Sequence, residues 1–430
     1  MTPFGFGPED PDNENGGGPN FNEIFQGLSN FGFNPQALFA AASGGAPLIS
    51  QETLREISKR VIKNDRPIGN VDLVASQEAF ALANTWLDQA TVFPSTSIGG
   101  VSAASRSDWL ASSIPAWQKL LEPLADGMAS ALTNVLNESE MGPQVAHITP
   151  LMRAFMGSLI ASALGQSLGE IATKITGNND VAIPLGIKDA KLIPMNIDEW
   201  AEGLNLRMDE VRIFLAVREA AATRLFTHTP WLFDYIRDLI TAYGRGIRID
   251  IDAMQQQAME AMESGNFNPE NPESISIAIS AGLFKPEQTP AQEAALAKLE
   301  ITFALIEGWI DHVTTKAIAD RLPSFSALAE MQRRNRATKS PMQRLFATLL
   351  GLEVSPRKMR ECANFWFEID ALVGVEGRDK RFEDAALLPL PSDLADPAKF
   401  LQSTIVPDTS HRSLMRISNL KKRSPRAHDS

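Results

Sequence analysis

Apolar residues recur at helical spacing along most of this chain, and that pattern leaves room for little besides helix packed on helix. From Gln51 onward Leu54, Ile57, Val61 and Ile62 share one helical face, and Leu73, Phe80, Leu82 and Trp86 continue the pattern. Residues 109–136 and 148–175 read as two long apolar helices, and further helices are expected over 208–228 and 292–319. Asp209 and Glu210 sit in the first turn of the 208–228 helix, where the helix dipole favours acids, and Pro230 marks a bend after it. Ser340-Pro341 and Ser355-Pro356 each pair an N-cap hydroxyl with proline at the first helical position, so two more helices begin there. Only the stretch from Ala182-Ile183-Pro184-Leu185 to Leu192-Ile193-Pro194 has the short, Pro-punctuated apolar pieces of strands or extended segments. The expected fold class is mainly α, with little β-structure.

Around this helical body, residues 1–45 carry Gly16-Gly17-Gly18 and isolated Phe residues and read as a flexible arm, while residues 406–430 read as a basic flexible tail. One large domain is expected over 46–405. The chain has 430 residues, 44% of them hydrophobic, which is ample for a core and excludes disorder throughout. A formal charge of −12 argues against general nucleic-acid binding, because most of the surface repels a polyanion. The single cysteine, Cys362, rules out an intramolecular disulfide and a cysteine zinc cluster. The acidic N-terminus has no basic and apolar signal regions, so export by that route is not expected and the cytoplasm is. The most apolar helical stretch, 152–168, is interrupted by Arg153 and Gln166 and falls short of the ~20 apolar residues a bilayer requires.

The most informative segment is the 208–228 helix. Val211, Leu215, Ala222 and Leu225 form its apolar stripe, and Arg218 falls inside that stripe, where a charge needs a buried partner. Taken with its neighbours, Arg218-Glu219-Ala220-Ala221-Ala222 resembles a zinc helix in which H-E-x-x-H has lost both histidines. Glu307-Gly308-Trp309-Ile310-Asp311-His312 resembles the downstream helix that supplies an acidic third ligand. Further blocks begin at Phe346, Gly374 and Leu388, and their order along the chain adds to the likeness.

On these motifs, spread over residues 70–405, the chain resembles the zincin-like metallopeptidase family of candidate zinc-dependent hydrolases, one branch of which is associated with deazaflavin coenzyme biosynthesis. The resemblance implies a zincin-like helical domain, zinc as the family's cofactor, Glu219 as a vestigial general base, and Arg218, Ala222 and Glu307 at the ligand positions. Trp231 and Trp309 are expected as binding residues because each adjoins one of the two site helices. In such sites two imidazoles one turn apart hold the metal, and the glutamate deprotonates the metal-bound water. Guanidinium stays protonated and donates only, and alanine offers no donor atom, so neither zinc nor another cofactor is expected here. Arg218 is expected to stand in as the positive centre, bonding Glu307 and open to Glu219 as well. The chain then reads as a non-catalytic relative that binds a peptide or partner protein. The alternatives are an active zinc-dependent hydrolase with a non-standard metal site and a purely structural helical protein.

Other signals are weaker. His228 lies about 120 degrees around its helix from Ala222 and reads as a C-terminal cap. His312 likewise turns away from Glu307, and His147, His411 and His428 give no ligand pattern. Gly165-Gln166-Ser167-Leu168-Gly169 fits the G-x-S-x-G nucleophile elbow, which requires a strand before the serine. Here a helix precedes it, and Gly157, Ala161, Gly165 and Gly169 form a small-residue stripe suited to close helix packing.

Overall fold

The computed structural model describes residues 47–96, 102–138, 145–248, 289–337, 341–352 and 355–403; the N-terminal arm, the basic tail and Ser340 lie outside these residues. Twelve α-helices run through the described residues. They are α1 (Gln51–Val61), α2 (Asn70–Leu87), α3 (Arg106–Glu138), α4 (Val145–Ala172), α5 (Pro194–Trp200) and α6 (Met208–His228), followed by α7 (Trp231–Arg245), α8 (Pro290–Ile318), α9 (Phe325–Ala337), α10 (Pro341–Leu350), α11 (Pro356–Asp379) and α12 (Pro397–Ser403). The fold is mainly α. The chain divides into two compact units, one of Met1–Val61, Ile114–Gly169 and Ile240–Ala295, the other of Ile62–Ser113, Glu170–Leu239 and Leu296–Ser430.

In the first unit α1 lies against α4 along the small-residue stripe. A Cβ at Gly165 would sit 2.9 Å from the Ile57 Cβ and one at Gly169 2.5 Å from the Val61 Cβ, so both positions are small because α1 is close. The Ser58 hydroxyl donates to the Gly165 carbonyl at 2.8 Å. Just ahead of α1, the backbone N–H groups of Leu48 and Ile49 donate to the Glu122 carboxylate on α3. Ser167 therefore sits mid-helix with no strand before it, and the G-x-S-x-G spacing serves helix packing.

In the second unit α6 is the central element. Nearly every residue from Glu210 to Phe226 is buried, so the polar side of this helix is covered as fully as its apolar stripe. A helix buried all round must pair each of its charges. Arg224, 1% exposed, donates to the Asn84 carbonyl and side chain on α2, which packs along α6, and to Asp88 immediately after that helix. The helix stops where Thr229 caps the Leu225 carbonyl through its N–H and its hydroxyl, immediately before Pro230. At the crossing of α8 with α11, Gly308 leaves room for backbone: a Cβ there would sit 2.8 Å from the Ala363 nitrogen. The start of α11 follows the expected chemistry, with the Ser355 hydroxyl accepting from the Lys358 N–H at 3.2 Å ahead of Pro356.

The strand-like stretch forms no sheet among the described residues. Leu192 makes single bridges to Gly177 and Ala103, and positive φ at Ala182 and Gly186, together with Pro184, turns the chain before a ladder can propagate. These extended pieces still matter, because the Ile193 N–H donates to the Thr176 carbonyl and the Asn178 N–H to that of Lys191. Trp109 adds an indole hydrogen bond to the Asn178 carbonyl at 3.1 Å. The loop 176–180 is thereby fixed against α6.

Candidate functional site

Arg218, Glu219 and Ala222 of α6 face Glu307 and Ile310 of α8, the 176–180 loop, and Arg336 near the end of α9. These residues enclose a cavity of about 10 Å³, room for about one water molecule. Arg218 is 5% exposed and Glu307 8%, so neither charge reaches solvent along its stem. The Arg218 Nη2 donates to Glu307 Oε1, and its Nη1 donates to Asp311 Oδ1 at 3.3 Å, one helical turn farther along α8.

A second arginine completes the network. Arg336 donates from Nε to Glu307 Oε1 at 3.2 Å and from Nη2 to both the carbonyl and the carboxylate of Asp180 at 2.6 Å. Burial works against the Asp180 charge, yet Arg336, the Thr176 N–H and Arg218 hold its carboxyl below the usual range. Burial likewise opposes the Arg336 charge, and Glu307 and Asp180 hold its pKa above the ordinary value. These opposed shifts describe paired ions whose mutual attraction outweighs desolvation.

Glu219 bonds elsewhere. Its Oε2 accepts the Asn179 backbone N–H at 2.8 Å and its Oε1 accepts from Asn179 Nδ2 at 3.0 Å, with no hydrogen bond to Arg218. Gly177 makes this possible, since a Cβ there would come 2.9 Å from the Glu219 carboxyl carbon. Burial, with Asp180 adding to it, pushes the Glu219 carboxyl up to about 8 against these hydrogen bonds, so it carries its proton at neutral pH. Of the two partners open to Arg218, Glu307 takes the guanidinium together with Asp311, while the loop offers Glu219 the neutral donors of Asn179.

The zincin-like metallopeptidase family matches this chain over residues 51–401. The chain belongs to that family. A solved structure from Chloroflexus aurantiacus, described as a candidate hydrolase with a novel fold, resembles this zincin-like chain with a TM-score of 0.56 at 16% identity. The likeness covers 83% of this chain and 98% of the other, and at that identity it is one of fold. No curated protein matches the chain.

Within this zincin-like chain, Arg218, Glu219, Ala222 and Glu307 converge on one cavity, while the two tryptophans do not line it. Trp309 is fully buried, with its indole donating to Asp379 at 2.9 Å, and Trp231 donates to the Phe382 carbonyl at 3.0 Å. His228 Nδ1 lies 2.8 Å from the Arg224 carbonyl, at the end of α6, and His312 bonds Asp370. No helix among the described residues is long and apolar enough to cross a membrane. Asn179, Asp180 and Arg336 are site residues that sequence reasoning missed. Asn178-Asn179-Asp180 after Gly177 looks like a surface turn, and Arg333-Arg334-Asn335-Arg336 looks like a solvated helix end. Asp311 was within reach, one turn after Glu307 in the same block.

Proposed function

We propose that this protein is a non-catalytic member of its metallopeptidase family, acting by binding a peptide or partner protein, with its metal position converted into a buried ion-pair network. The observation that carries the reading is the placement of Arg218, a pure hydrogen-bond donor, on Glu307 beside Ala222, which has no donor atom to give a metal. Zinc takes its protein ligands from imidazole, thiolate or carboxylate. Among the described residues no three His, Cys, Asp or Glu side chains group suitably for a metal ion. Glu307 is the single carboxylate at a former ligand position, and two guanidinium groups already occupy it. The lack of room for a substrate in the small cavity agrees, and membership of a peptide-handling family supports the binding half. A cytoplasmic location accords with the single, buried cysteine.

A second reading keeps hydrolytic activity through a metal bound in another way. Glu219 favours it, since a carboxyl near 8 lies in the range suited to proton transfer at neutrality. Metal analysis of the purified full chain and a fluorogenic peptide-library assay separate the two. The first reading expects less than stoichiometric zinc, peptide retention without cleavage, and no change in any residual cleavage on Glu219→Gln. Stoichiometric zinc, or turnover abolished by Glu219→Gln, would favour the second.

A further inference from the structure

Three buried polar atoms of the site have no hydrogen-bond partner among the described residues: Arg218 Nε, Glu307 Oε2 and Asn179 Oδ1. Their side chains line the same cavity of about 10 Å³, and each of the three residues is more than nine-tenths buried. Buried polar groups left without partners are rare, and each one costs free energy unless something inside the protein meets it. The chemistry of the set restricts what can do so. Two of the atoms are acceptors and one is a donor.

A metal ion or an ammonium ion would suit the two acceptors, but the Arg218 N–H would face it with a like charge and find no lone pair. A chloride would suit Arg218 and be repelled by Glu307 Oε2 and Asn179 Oδ1. A carbon-containing ligand exceeds the space. Water alone, at this size, offers two hydrogens and a lone pair together.

We infer that the cavity binds one ordered water that donates to Glu307 Oε2 and Asn179 Oδ1 and accepts from Arg218 Nε. The inference rests on the non-catalytic reading above and deepens it: guanidinium and water together fill the place where the family holds metal and its water. The bound water is structural, because both Glu219 oxygens are engaged by Asn179 and no base is directed at it.

A crystal structure of the full chain at a resolution that places waters, with diffraction recorded on both sides of the zinc absorption edge, tests this directly. The expected result is a single spherical peak without anomalous signal, about 2.6–3.2 Å from all three atoms. A peak with a zinc-edge signal would overturn the water and the non-catalytic reading together. Well-ordered walls with no peak, an anomalous peak of chloride, or density of more than one atom would overturn the water alone.

Discussion

Arg218 donates through Nη2 to Glu307 Oε1, joining α6 to α8 between residues 89 apart in sequence. Both side chains are buried, and a buried charge stripped of its partner costs far more than the net value of the pair. Arg218→Ala is therefore expected to destabilise the fold by ~3 kcal/mol in urea titration. Glu307→Gln should relieve much of that loss, so the double-mutant cycle should show strong coupling; additive effects would break the proposed link.

Arg336 bridges Glu307 and Asp180, which lie on different elements. Arg336→Met keeps the stem and removes the charge, and a loss of about 2 kcal/mol is expected as Asp180 and Glu307 lose a common partner. Arg336→Lys should recover only part of it, since an ammonium cannot reproduce the fork. Equal stability of the Met and wild-type chains would show that the bridge is not held in solution.

Glu219 sets a pH dependence with a definite sign. Its carboxyl lies at about 8 in the folded chain against an ordinary value of 4.5, so the folded state binds the proton more tightly. That stabilisation is complete below pH 4.5 and is lost as pH rises through 8, with a ceiling of about 5 kcal/mol at ~1.4 kcal/mol per unit. Asp180 and Asp370, both held low, act oppositely: their contribution is lost as pH falls below the ordinary carboxyl range. Urea midpoints should thus fall between pH 5 and 8.5, and Glu219→Gln should flatten that slope. A steep slope retained in the Gln variant would assign it to another group.

Arg218→His with Ala222→His places two imidazoles one turn apart on α6, facing Glu307. The double variant is expected to bind zinc stoichiometrically and to gain thermal stability with added zinc, as a restored three-ligand set requires. Metal analysis and melting curves with and without zinc decide it. A variant that folds but takes up no more zinc than wild type would mean that the helices are not spaced for a metal.

The stripe on α4 gives a contrast between neighbours. Gly169→Ala forces a methyl against Val61 and should cost about 1–3 kcal/mol. Ser167→Ala should stay within about 0.5 kcal/mol and leave any residual cleavage unchanged. Loss of activity in the serine variant would revive the nucleophile.

Local chemistry made much of this protein legible from its sequence. Acids in the first turn and Pro230 after the last place α6 at Met208–His228, and Ser355-Pro356 places the start of α11. An arginine inside an apolar stripe signalled burial and a carboxylate partner, and the resemblance of two motifs named Glu307. Such features are readable because periodicity and capping act over a turn or two of one helix. Tertiary structure alone decided the rest. Asp180 and Arg336 are 156 residues apart and each looks like a surface residue; only their convergence makes them an internal ion pair. The same holds for Asn179, which takes both oxygens of Glu219, and for the 182–194 stretch, whose Leu192 makes only single bridges among the described residues. Helical spacing records which face of an element is covered, but the identity of the group that covers it depends on where distant segments meet.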